Sequence, residues 1–264
     1  MECKNCKTYL TEESDYCNSC GGKVIRNRLT LRNLFEHFTE TFFNYDNKFF
    51  QTFLYLFKNP ENVIEGYING IRKKYADVIS YFTLAITISG LQLFILNKFF
   101  PDAMDMSVWS TKGAEEIQKQ QMSSVQEYQS IIMMFYAPLY ALIAKIVFYN
   151  IKKFNYTELL VIFLYIQAQI SIASGILALI LLPFFGISFG IFSMFAIPTM
   201  ILYSAYCLKR LYQISFSRIV WKTLIFGIVL TIVLIIIFAV IAFIMYSSGG
   251  LDTIIEAQKA AQHS

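Results

Sequence analysis

Five long apolar runs constrain this chain more than any other feature. A helix needs about 20 residues to cross the hydrocarbon core of a bilayer. Runs of that size lie at about Val78–Leu96, Ile131–Tyr149, Leu159–Leu182, Ile187–Leu208 and Thr223–Tyr246, the last containing Ile232-Val233-Leu234-Ile235-Ile236-Ile237-Phe238. Helices are the expected form, because lipid offers no partner to the backbone of an isolated strand. Composition agrees: 56% of the 264 residues are hydrophobic and 15% charged, with a mean hydropathy of +0.50. Soluble domains carry about 45–50% and about 25%, so these charges are too few to cover a soluble fold. An ordinary cytosolic enzyme, a disordered chain and a secreted disulfide scaffold are excluded.

Lys and Arg in the flanking segments set the expected orientation. The segment ahead of the first run ends in Arg72-Lys73-Lys74, Lys145, Lys152 and Lys153 lie between the second and third runs, and Lys209, Arg210, Arg218 and Lys222 between the fourth and fifth. These segments hold eighteen basic residues and the alternate ones hold four. The N-terminus is therefore expected in the cytoplasm and the C-terminus outside. Residues 1–30 lack the apolar core of a signal peptide, which leaves the first run as the insertion signal. There is no internal repeat of the kind that builds transporter halves.

Cys3-x-x-Cys6 and Cys17-x-x-Cys20 make two tight turns ten residues apart. Each presents two thiolates on one edge, and together they offer the tetrahedral sulfur set that zinc favours. Asn5, Asn18-Ser19, Gly21 and Gly22 supply turn-tolerant residues, and Tyr16 and Leu10 supply the small core. Two disulfides or four idle thiols are the alternatives. A cytoplasmic location disfavours disulfides, and thioredoxin-type redox chemistry would want a single motif beside a βαβ unit. One structural zinc ion with all four positions filled is expected. Cys207 is expected to pack between helices.

From Leu31 to Phe57 apolar residues recur at helical spacing, with Glu36, Glu40, Asn44, Lys48, Gln51 and Tyr55 opposite and Thr30 as N-cap. Two readings stand side by side: an amphipathic helix on the membrane surface, or a helix packed on the protein's own spans or a second subunit. Asn59-Pro60-Glu61 ends one helix and starts another, which runs to Gly70. Arg72, Lys73 and Lys74 then act as snorkelling topogenic residues or as contacts to lipid headgroups. The architecture expected is an all-α polytopic membrane protein: a zinc ribbon at 1–24, interfacial helices at 30–76, five spans within 77–248, an outside loop at 99–130 and an outside tail at 249–264.

The spans carry no buried acid, and His37 and His263 lie outside them, so proton or sodium coupling lacks its usual groups. HExxH, Walker, GxSxG and kinase motifs are absent, and a non-enzymatic protein is expected. In the third run Gln167, Ser171, Ser174 and Gly175 share a face, read either as helix packing or as a polar groove for a headgroup or small solute. Pro138 and Pro198 kink the runs beside it, and Tyr203 and Tyr206 are expected as interfacial anchors. Lys4, Lys7 and Lys23 are too few for a nucleic-acid footprint.

The order Tyr16-Cys17-x-x-Cys20-Gly21, Arg28-Leu29-Thr30, the Phe-rich helix, Thr52, Phe57, Pro60 and Gly70-x-Arg72-Lys73-Lys74-Tyr75 resembles an uncharacterised membrane family common in Bacteroidota, whose domain has no known function. Pro138-Leu139-Tyr140-Ala141, Tyr156-x-Glu158, Leu211-Tyr212-Gln213 and Lys222 are similar to the rest of its pattern. Where many members carry histidines, Leu159 and Gln169 stand nearby; an activity resting on those histidines is not expected. The resemblance implies a class and no mechanism. In topology alone the chain also resembles Yip-type membrane-trafficking proteins, a likeness that licenses no function. The expectation is an inner-membrane protein whose cytoplasmic ribbon and surface helix position a protein partner or a second copy. The alternative is a lipid- or solute-handling channel, transporter or scramblase using the Gln167, Ser171 and Ser174 face.

Overall fold

The structure is a computed structural model and describes residues 1–11, 14–22, 24, 30, 48–106, 108 and 128–247. The chain forms two compact units, Met1–Asn47 and Lys48–Ser264. The connector expected over 30–76 is thus divided between them. Most of its first half (31–47), much of the 99–130 loop and the 249–264 tail lie outside the described residues.

In the first unit, β pairing among the described residues is confined to isolated bridges, one of them antiparallel between Glu2 and Tyr9. Cys3, Leu10 and Cys17 form its core, with Val24 against them. Tyr16, expected in that core, is 61% exposed. The aliphatic Val24 fills the space instead.

The second unit is helical. We number its helices α1 (48–58), α2 (Pro60–Ile68), α3 (Val78–Phe99), α4 (Gln129–Val147), α5 (Tyr156–Phe185), α6 (Phe189–Tyr212) and α7 (Phe216–Ser247). Local chemistry fixes their ends. Pro60 opens α2, and Gly70, at φ +92°, closes it with Gly70 N–H donating to Tyr67 O and Ile71 N–H to Gly66 O, a Schellman pair. Asp77 caps α3 through Ser80 N–H at 3.0 Å. Asn155 and Glu158 cap each other's backbone at the start of α5, the capping box.

Four helices are long and apolar enough to cross a membrane: α3, α5, α6 and α7 through Val240. The second predicted run is helical over Gln129–Val147, but its described apolar part, Ile131–Val147, is shorter than the other four. The helix stops ahead of Phe148 and Tyr149, in the turn that leads to α5.

α5 is the hub, packing on α3, α4, α6 and α2. Ala137, Ala141 and Ala144 of α4 are fully buried, and such small residues let helices approach closely. α7 contacts α4 and α6, and none of its most apolar window is buried.

Of the two connector readings, packing on the protein's own helices is seen in the described part, helix α1. It packs on the protein itself, with Thr52 and Leu56 fully buried and Phe49 and Phe53 half-buried. Its C-terminal carbonyls, which a helix end leaves without partners, accept side-chain donors: Tyr203 OH to Leu56 O at 3.0 Å and Tyr206 OH to Lys58 O at 2.9 Å. The two tyrosines cap a neighbouring helix, a role that the expectation of lipid-interface anchors did not include. Replacing both by Phe removes two hydrogen bonds, each about 0.5–1.5 kcal/mol. Amide exchange across 48–58 should then accelerate several-fold by mass spectrometry while α5 keeps its protection.

Candidate metal centre and polar helix contacts

The two cysteine turns are built alike. In each, the first cysteine's N–H donates to the carbonyl five residues on (Cys3 to Thr8, 2.9 Å; Cys17 to Gly22, 2.8 Å), and its carbonyl accepts from the residue four on (Lys7, 2.8 Å; Gly21, 2.9 Å). That fourth residue is left-handed in both, Lys7 at φ +61° and Gly21 at φ +68°. Lys7, not Asn5, therefore takes the left-handed position of the first turn. Asn5 donates its side-chain amide to Cys20 Sγ at 3.5 Å instead. Backbone N–H groups of Asn5 and Cys6 point at the Cys3 sulfur, and those of Ser19 and Cys20 at Cys17.

This pairing brings Cys3 Sγ to 3.7 Å from Cys20 Sγ and Cys6 Sγ to 3.5 Å from Cys17 Sγ, with all four within 4.8 Å of one another. A tetrahedron with metal–sulfur bonds of about 2.3 Å has edges of about 3.8 Å, and disulfide sulfurs would lie about 2 Å apart. The four cysteines lie close enough together to hold one metal ion. Cys3 and Cys17 are buried while Cys6 and Cys20 are exposed. The Thr8 hydroxyl, 3.2 Å away, is the main reason the Cys6 thiol is pulled down to about 6. The backbone N–H groups of Cys6 and Asn5 lower Cys3. Both effects favour the thiolate form that binds metal; at Cys17 the N–H groups of Cys20 and Ser19 act the same way, but burial and the neighbouring Cys6 and Cys20 sulfurs outweigh them and push the thiol up to about 11.

Arg72, Lys73 and Lys74 are exposed in the bend between α2 and α3, with Arg72 over the Tyr67 ring at 5.3 Å and Lys74 over Tyr75 at 5.2 Å. The polar set of the third run divides. Ser171 shares a hydrogen bond with Ser89 of α3, Ser174 donates to Ser171 O at 3.3 Å, and a Cβ on Gly175 would lie 3.0 Å from Gln92 Oε1. Ser171 and Gly175 serve the α3–α5 contact, while Ser174 bonds within α5. Only Gln167 keeps an open valence, since its Oε1 is buried and has no hydrogen-bond partner. Cys207 is fully buried in the core, as expected.

Gln169 lies off the face that Gln167, Ser171 and Ser174 share. It is fully buried, accepts from Tyr81 OH of α3 and donates to Phe53 O of α1 at 3.0 Å. Thr52 works beside it, accepting from Ala76 N–H at 2.9 Å, and Tyr165 OH donates to Ala76 O at 2.8 Å. A buried amide in an apolar helix was the available signal, since such a group needs partners. Two ion pairs tie α2 down. Lys153 Nζ meets Glu65 Oε1 at 2.7 Å, and Arg210 holds both carboxylate oxygens of Glu61 while donating to Asn59 Oδ1 at 3.1 Å. Asn59 thus caps α2 by position only, because Arg210 takes its side chain.

Burial pushes the Glu61 carboxyl up, but the hydrogen bonds and charge of Arg210 outweigh it and hold the group below the usual carboxylate value. A lowered folded-state value contributes stability above the unfolded value of about 4.3 and loses it as pH falls through the folded value. The partners are 43% and 23% exposed, so solvent screening keeps the contribution small. In Arg210→Met this acid-dependent loss should disappear from thermal melts recorded between neutral pH and pH below the carboxylate range.

Fold and site together define a class: a helical chain with four helices of membrane-spanning length and a separate compact unit presenting four clustered cysteines. Residues 46–90, covering α1, α2 and the first half of α3, match a family model described as a protein of unknown function (DUF3667). No curated protein and no solved structure matches the chain.

Proposed function

We propose that this is a non-enzymatic protein of the bacterial inner membrane. Its cytoplasmic N-terminal unit is a zinc ribbon in which Cys3, Cys6, Cys17 and Cys20 hold one structural zinc ion, and that unit recruits or positions a protein partner. The observation that carries the reading is the closed sulfur set. Two matching turns fill all four tetrahedral positions, which leaves no open position for a reacting water and makes the ion an organiser of the module. Tyr9 and Tyr16 stand 80% and 61% exposed on the same unit, and exposed aromatic side chains suit protein contact. In this reading α4 is the fifth span. Its 19 residues rise about 28 Å, close to the ~30 Å core, with Lys145 in its last turn able to snorkel. Five crossings and the basic-residue bias then put the N-terminus in the cytoplasm and the C-terminus outside.

The test compares the full chain, tagged at its C-terminus and extracted mildly from native membranes, with Cys17→Ser/Cys20→Ser at equal expression. A stoichiometric protein that co-purifies with the first and is lost with the second supports the reading. An unchanged partner list overturns it. A second reading, handling of a lipid or small solute along the third-run face, retains one supporting observation, the unpartnered Gln167 Oε1. Unaltered liposome flux after Gln167→Leu removes it.

A further inference from the structure

The helix bundle is not closed between α6 and α7. A cavity of about 560 Å³ opens there, walled by Ser204, Ala205 and Leu208 of α6 and by residues of α7 from Lys222 to Ile232, with Tyr140 of α4 and Phe163 of α5 at its back. Such a volume is of the size that binds small molecules. Three observations say what kind. First, the wall is predominantly aliphatic and aromatic. Two of its hydroxyls are already engaged within their own helices, Ser204 Oγ donating to Met200 O at 2.8 Å and Thr231 Oγ1 to Gly227 O at 2.9 Å, so a sugar or polar solute would lose more hydration than the wall returns. Second, the ten-residue reach from Lys222 to Ile232 spans about 15 Å along the helix. That is half of a ~30 Å hydrocarbon core and the depth of one leaflet.

The third observation is charge. α6 and α7 contain no Asp or Glu, and Lys209, Arg210, Arg218 and Lys222 collect at the end where the cavity begins. Arg210 is engaged by Glu61. Lys222 Nζ is held by two neutral acceptors, Val147 O at 2.6 Å and Asn150 Oδ1 at 3.0 Å, and lies 5.7 Å from the centre of the Phe148 ring. Among the described residues no carboxylate neutralises it. A cation fixed by neutral dipoles at the mouth of an apolar slot complements a phosphate attached to a hydrocarbon chain.

We propose that this slot seats one acyl chain of an anionic phospholipid, with the lipid phosphate against Lys222. Gly227 lines the slot, and a Cβ built there meets nothing within 4 Å, so a larger side chain at this position would enter the space the acyl chain takes. The proposal is independent of the metal site and of any protein partner.

The experiment uses the full chain, delipidated in mild detergent, titrated with phosphatidylglycerol or with phosphatidylcholine of the same acyl chains and read by native mass spectrometry. One phosphatidylglycerol per chain is expected, bound roughly tenfold tighter than phosphatidylcholine, whose phosphate is neutralised by its own choline ammonium and whose net charge offers Lys222 no attraction. Gly227→Leu fills the slot and is expected to abolish that stoichiometric lipid. Gly90→Leu places the same side chain at an open glycine of α3 and should leave it bound. Lys222→Gln is expected to bring the two lipids to equal affinity. Retention of the lipid by Gly227→Leu at the wild-type level overturns the seat. Equal binding of the two lipids by the unaltered protein overturns the headgroup contact, and that comparison depends on no variant folding.

Discussion

Cys17→Ser/Cys20→Ser should empty the N-terminal unit of metal and unfold it while leaving the helical unit intact. Among the described residues the buried apolar core of that unit is Cys3, Leu10 and Cys17 with Val24 beside them, and two of the three belong to the cysteine cluster. Ordering one backbone residue costs about 1–2 kcal/mol, which so small a core cannot offset over some twenty residues. Structural zinc in comparable modules supplies about 10–16 kcal/mol in apparent binding free energy at neutral pH. Metal analysis should therefore fall from about one zinc per chain to none, and limited proteolysis should cut within residues 1–24 at least an order of magnitude faster. The midpoint of thermal unfolding of the helices should not move, because Lys48–Ser264 is compact by itself. A metal-free double variant whose first 24 residues resist protease as before would show that the cysteines are not what folds this unit.

The second large effect separates two glutamines two residues apart. Gln169→Leu should cost about 2–4 kcal/mol, because Tyr81 OH is left buried without its acceptor and the donor to Phe53 O is lost, each orphaned group costing about 1–3 kcal/mol. Gln167→Leu should be neutral or slightly stabilising, since it deletes a buried oxygen that already lacks a partner. Melting in detergent gives the difference, and hydrogen exchange gives its location: residues 48–58 should loosen in Gln169→Leu alone. Equal effects from the two substitutions would refute the Tyr81–Gln169–Phe53 link as a support of α1.

Local properties were legible from residue order. Hydropathy placed four of the five predicted runs on helices of spanning length, and α3 begins at the predicted Val78. Backbone in lipid has no option but the helix, so composition over some twenty residues is enough. The cysteine spacing led to four sulfurs that lie close together for a similar reason: a turn four residues long determines its own geometry, and two such turns need only one more contact. Pro60 was readable as a helix start because its fixed φ and missing N–H suit the first helical position, a property of the residue and its immediate neighbours.

The choice of partners was not legible. The pattern Gln167, Ser171, Ser174 marks one face of α5, but a face carries no label for what covers it. α3 covers Ser171 and Gly175, while Gln169, about 200° around the helix from Gln167, holds α3 and α1 together. Tyr203 and Tyr206 look like interface residues until α1 docks its C-terminal carbonyls on them, and that docking depends on contacts 147 and 148 residues apart along the chain. Phe49 and Phe53 fit a lipid-facing stripe as well as a protein-facing one. The chain's own order determined where helices form and where a metal could bind, since both follow from neighbours in sequence. Only the tertiary structure decided which polar groups are spent on holding α1, which one is left over, and where α6 and α7 part to leave a seat, because those outcomes depend on surfaces brought together from distant segments.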